Sequence, residues 1–148
     1  MSASEEAVIA FWKEHREQLR QSEVQRSTLT NFLLVIAAGL SALIVQQKFS
    51  AYVIPLAVFI VLIGVYGALT VAKYYERSAY HLGQARALTE MLMTLGALDS
   101  KEPLERRRSA HYEKFPRLRR IRLHHLWVGI HFGVALLGVT LLVICIAR

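Results

Sequence analysis

Residues 29–72 read LTNFLLVIAAGLSALIVQQKFSAYVIPLAVFIVLIGVYGALTVA, and this stretch decides the fold. Its single formal charge is Lys48, which lies in the short break Gln46–Ala51. A bilayer's hydrocarbon core is about 30 Å thick, and about 20 apolar residues of helix cross it. Tyr52–Ala72 meets that length, and Leu29–Val45 meets it by drawing in Ser27, Thr28, Gln46 and Gln47 at its ends. Lipid offers no partner to backbone N–H and C=O groups, so each segment must be helical. The break is too short for anything but an antiparallel hairpin. Pro55 falls in the first turn of the second helix, where a missing N–H costs little.

A third stretch, Leu126–Ala147 (LWVGIHFGVALLGVTLLVICIA), has the same character. None of the three contains Asp, Glu, Lys or Arg. Helices of a soluble bundle would carry polar residues every three or four positions. The expectation is an all-α integral membrane protein with three transmembrane helices plus cytoplasmic amphipathic and coiled-coil helices. Its parts are an amphipathic helix over 1–28, a two-span hairpin over 29–72, a basic helical segment over 73–125 and a third span over 126–147.

The 148 residues carry 18 Lys and Arg against 11 Asp and Glu, for a net charge of +7. Most of that excess lies in one place. Lys73–His125 holds twelve basic residues, the hairpin loop one and the first 28 residues four. The positive-inside rule then puts the N-terminus and the basic segment on the cytoplasmic side, with the hairpin loop and C-terminus outside. The first 28 residues are mixed in charge and lack a basic start followed by an apolar run. The first span is therefore expected to stay as a signal anchor. Tyr52, Tyr74, Tyr75 and Trp127 fall at expected interfaces.

The first 28 residues suggest a helix over 4–27, with Ser2 and Glu5 as a capping box and Val8, Trp12 and Leu19 as an apolar stripe. Glu17 with Arg20, and Glu23 with Arg26, are spaced as i,i+3 pairs. Beyond the second span, Tyr74, Ser78, His81, Ala85, Leu88, Leu92 and Leu95 recur at steps of four and three, the spacing of a coiled-coil assembly seam. Its partner is either the N-terminal helix of the same chain or the same helix of another subunit. Gly96 supplies a stop. Asp99 and Ser100 are placed to cap a short helix that breaks at Pro116, after which RLRRIRLHHLW reads as a basic interfacial helix.

Little here suggests catalysis. There is no Gly-rich phosphate loop, nucleophile elbow, paired-carboxylate arrangement or dinucleotide fingerprint, so no enzyme activity is expected. His81, His111, His124 and His125 lack metal-ligand spacing, and the one cysteine, Cys145, sits in an apolar run. No cofactor or metal is expected. Arg106, Arg107, Arg108, Arg117, Arg119, Arg120 and Arg122 form a basic cluster suited to lipid headgroups or a protein partner. Nucleic acid is less favoured, because only Tyr112 and Phe115 interleave with the arginines. His131 is the one ionisable group inside a span, so it is either functional or bonded to a neighbouring helix. Gly129 and Gly133 form a GxxxG pair; Gly64 with Ala68 and Ala38 with Ala42 are small-xxx-small pairs. Such faces favour a homo-oligomer. An aqueous path would draw its lining from Ser41, Tyr66, Thr70, His131 and Thr140.

The N-terminal helix, the tight hairpin and the opening KYYERSAYHLGQAR of the long helix resemble the SLATT group of bacterial conflict-system membrane effectors. The resemblance covers residues 1 to about 98, and the third span departs from the simplest two-span pattern. It implies a hairpin that oligomerises into a membrane-disrupting pore under control of a cytoplasmic defence-system partner. Two other readings stay open. One is a scaffold recruiting a soluble enzyme or nucleic acid through Arg106–Arg122; the other is a small channel or transporter subunit using His131.

Overall fold

The computed structural model describes residues 2–148, and no strand occurs among them. The helices are α1 (Ala3–Gln46), α2 (Ile54–Thr94), α3 (Glu102–Lys114) and α4 (Leu123–Ala147). Single 3-10 turns lie at Ala51–Val53 and Leu118–Arg120. Three helices are long and apolar enough to cross a membrane. The chain divides into two compact units. One takes the chain up to Glu23 with Glu76–Arg122; the other takes Val24–Tyr75 with Leu123–Arg148.

The second unit holds the apolar core. On α1 its inward residues are Arg26, Thr30, Leu33, Ala37, Leu40 and Ile44, at steps of four and three. On α4 they are His131, Val134, Gly138, Leu141 and Cys145, spaced the same way. Ala57, Ile60, Gly64, Gly67 and Val71 do this on α2. A repeat of 3.5 residues keeps each seam facing its neighbours, as in left-handed coiled coils. Contacts along the helices fix their directions. Arg26 meets Trp127 and Thr30 meets His131, so α1 and α4 run parallel. Tyr75 stacks on His124, Gly67 faces His131 and Gly64 faces Ala135, so α2 runs antiparallel to α4.

The α1–α2 connection is tight, as its length demanded. Phe49 N–H donates to the Ile44 carbonyl (3.1 Å) and Lys48 N–H to the Val45 carbonyl (2.9 Å), which closes the helix C-terminus. Lys48 and Phe49 take positive φ of 52° and 59°, where glycine is more usual. The Phe49 ring packs on the core and lies 5.2 Å from the Arg148 guanidinium.

The first unit is a helical hairpin with an appended basic segment. Ser2 and Glu5 form the expected reciprocal cap: Ser2 N–H donates to Glu5 Oε2 (2.8 Å) and Glu5 N–H to Ser2 Oγ (3.3 Å). Val8 and Ala85 are buried between the two arms. Trp12 Nε1–H donates to Thr89 Oγ1 at 3.1 Å, and Arg77 donates to Gln18 Oε1 at 2.9 Å. The α2 seam is thus covered, in this unit, by the N-terminal helix of the same chain. His81, Leu88 and Leu92 are half-buried, while Leu95 remains exposed. At Gly96, φ is 74°, and Ala97 N–H donates to the Leu92 carbonyl (2.9 Å), ending α2 where the glycine predicted.

Two local expectations are corrected. The basic interfacial helix after Pro116 does not form. Phe115 leaves helical geometry, Leu118–Arg120 makes one 3-10 turn, Ile121 is extended and α4 starts only at Leu123. Pro116 lacks an N–H and disfavours helical geometry in the residue before it. Arg26 does not reach out to Glu23 but turns inward over Trp127. The Glu17–Arg20 pair does form. Ser100 Oγ accepts the Glu102 N–H at 3.0 Å, one position beyond the boundary residue Lys101.

Candidate functional site

A polar layer crosses the otherwise apolar second unit where α1, α2 and α4 meet. His131 on α4 is fully buried, and its Nε2 lies 3.1 Å from Thr30 Oγ1 on α1. Thr30 is 1% exposed. Gly67 on α2 makes room for the ring, since a Cβ there would lie 2.1 Å from His131 Nδ1. One turn away, the Arg26 guanidinium sits 5.0 Å from the centre of the Trp127 ring. Arg26 is 7% exposed. Such a cation–π contact contributes about 0.5–2 kcal/mol, more when dry.

The layer costs stability. Arg26 Nε, Trp127 Nε1 and His131 Nδ1 are buried without a hydrogen-bond partner. Each such group costs about 1–3 kcal/mol. Moreover, no Asp or Glu occurs in residues 24–75 or 123–148, so the unit supplies no carboxylate to Arg26. A polar layer of this kind fixes register. Sliding α4 by one turn would leave Thr30 facing Val134 or Trp127 rather than an imidazole.

The other sequence-predicted residues fall in different places. Gly129 and Gly133 meet open space: nothing lies within 4 Å of a Cβ added at either. The close helix approaches use Gly64, Gly67 and Gly138, whose added Cβ atoms would fall 2.5 Å from Ala135 N, 2.1 Å from His131 Nδ1 and 2.6 Å from Val61 N. Ser41 and Thr70 turn their hydroxyls to the carbonyls of Ala37 and Tyr66 in their own helices (2.7 and 2.8 Å). His131 is fully buried at the helix junction. Arg106, Arg107, Arg108, Arg117, Arg119, Arg120 and Arg122 are all exposed.

The first unit holds a pair that sequence reasoning missed. His15 Nδ1 and His81 Nδ1 approach to 2.9 Å across the hairpin arms. At that distance one nitrogen must be a bare acceptor, so the pair holds a single bridging proton. Burial, the His15 ring and the Arg77 guanidinium hold His81 below its ordinary value of 6.5, with Glu14 pulling weakly the other way. His81 stood on the expected seam; His15 carried no signal until the arms were in register.

No family model, curated protein or solved structure matches the chain.

Proposed function

We propose that this chain is a self-associating, multi-pass protein of the bacterial inner membrane that serves as an effector or accessory of anti-phage defence by disrupting the membrane. The observation that carries self-association is the free Gly129–Gly133 face of α4. Its neighbours Phe132 and Leu136 are 65% and 67% exposed. The small residues that join helices within the chain are other ones. A GxxxG face lets two backbones approach closely in lipid. The defence role is supported by the SLATT likeness of residues 1–98. The excess of Lys and Arg over residues 73–125 supports a cytoplasmic N-terminus and a periplasmic C-terminus.

Replacing Gly129 and Gly133 by Leu tests this. Both side chains enter open space, so the fold should hold while the oligomer, sized in detergent or nanodiscs, shifts to a smaller species. Expression of the parent chain should depolarise cells, and the double variant should not. An oligomer indifferent to both substitutions refutes the assigned face, and unchanged membrane potential with the parent chain and its genomic neighbours refutes the effector reading.

The exposed run Arg106, Arg107 and Arg108 favours a second reading, a scaffold that captures a soluble protein or nucleic acid. Neutralising the three should then abolish capture with oligomer size unchanged; capture that survives excludes it.

A further inference from the structure

The basic segment of the first unit is more than a scatter of arginines. Between Glu102 and Arg122 it carries eight basic residues against three acidic ones. One acid is already engaged, as Arg106 donates to Glu102 Oε1 at 2.8 Å. Two of the remaining arginines converge. Arg108, from α3, lies 5.7 Å from the centre of the Tyr112 ring, and Arg119, from the 3-10 turn, lies 5.3 Å from it. The break at Pro116 allows this, since a straight helix would carry Arg119 away from Tyr112. An open cleft of about 480 Å³ lies here, lined by Glu105, Arg108, Ser109, Tyr112 and Arg119. The lining brings one carboxylate against two guanidiniums.

Arg108 and Arg119 line the same cleft, so an anion within it is attracted by both guanidiniums. Guanidinium groups favour phosphate, whose oxygens accept two parallel N–H donors. The Ser109 hydroxyl adds a neutral donor. The same segment also exposes large apolar side chains between its arginines: Phe115 is 45% exposed, Leu118 63% and Ile121 53%. A soluble phosphate ester has no use for them. A bilayer surface does, because apolar tips enter the acyl boundary while arginines meet headgroups.

We propose that Arg108, Tyr112 and Arg119 form a phosphate site for the headgroup of an anionic phospholipid, and that Leu118 and Ile121 dip into the same leaflet beside it. The site pins the irregular Phe115–Arg122 segment to the membrane surface. It depends on the membrane-spanning part of the proposed function and not on self-association. Oligomer size therefore reports on one reading and lipid dependence on the other.

The full chain is placed in nanodiscs of phosphatidylcholine alone, or with a third of that lipid replaced by phosphatidylglycerol, and amide exchange is followed. Exchange over residues 115–122 should slow severalfold in the anionic discs. The Arg108→Gln, Arg119→Gln double variant should lose that slowing, with headgroup binding weakened about fivefold per arginine. The double lysine variant, which keeps charge but loses the planar stack, should fall between. Exchange at the Val8 and Trp12 amides, on the N-terminal arm and outside the cleft's lining, reports that the unit stays folded. Equal exchange of the parent chain in both lipids overturns the site, as does slowing that survives in the glutamine variant. Inorganic phosphate or single-stranded RNA that slows exchange as much in pure phosphatidylcholine discs overturns the lipid assignment.

Discussion

Replacing Gly67 by Ala probes the polar layer directly. The new Cβ would lie 2.1 Å from His131 Nδ1, 2.5 Å from Cε1 and 2.8 Å from Cγ. The imidazole must move, yet it is fully buried and tied to Thr30 at 3.1 Å. Overpacking a filled core costs about 1–3 kcal/mol. Losing the Thr30–His131 hydrogen bond adds about 0.6 kcal/mol, the average for bonds between membrane helices. Against this, Ala in a helix interior gains about 1 kcal/mol over Gly. The net expectation is a loss of about 0.6–2.6 kcal/mol, read from reversible unfolding in mixed micelles. The decisive step is the second background. In His131→Ala the obstacle is gone, so Gly67→Ala should become neutral or stabilising by up to about 1 kcal/mol. The coupling between the two positions should thus reach about 1.6–3.6 kcal/mol. If Gly67→Ala costs the same with and without the imidazole, the described packing of α2 on α4 is wrong.

Two further outcomes follow from buried or paired groups. Thr30→Val keeps the shape of the side chain but strips His131 of its one partner, and should destabilise the second unit by about 1–2 kcal/mol in the same unfolding assay. For the His15–His81 pair, the folded value of His81 lies below its unfolded value near 6.5. As pH falls the unfolded chain protonates His81 first, so the contribution of His81 is complete above about pH 6.5 and is lost as pH drops through its lowered folded value. Protection factors at the Trp12 and Thr89 amides, taken relative to the intrinsic exchange rate at each pH, should therefore fall on acidification, and His81→Gln should flatten that dependence.

Much of the architecture could be read from spacing alone. Three uncharged stretches gave three helices, Gly96 gave the end of α2 and Ser2 with Glu5 gave the first cap, because each signal is local. The four-and-three seam on α2 was equally legible, but its partner was not. Which helix covers His81 and Ala85 depends on the register of the arms. The glycines show the same limit. Gly129 and Gly133 make the stronger motif, yet Gly64, Gly67 and Gly138 make the close approaches, since a motif does not say which face turns inward. The helix expected beyond Pro116 failed because a run of apolar and basic residues resembles an amphipathic helix even where proline stops one. Arg26 looked like a surface partner of Glu23, and only the Trp127 face across the bundle draws it in.

We propose that α1 and α4 cross the membrane in one direction and α2 in the other, with the basic segment inside the cell. Single cysteines at Lys48 and at Ala110, each in a Cys145→Ala chain, test it through a membrane-impermeant maleimide. Lys48→Cys should be labelled in intact cells and Ala110→Cys only after permeabilisation. Labelling of both from the same side, the reverse pattern, or recovery of the chain in buffer without detergent would contradict it.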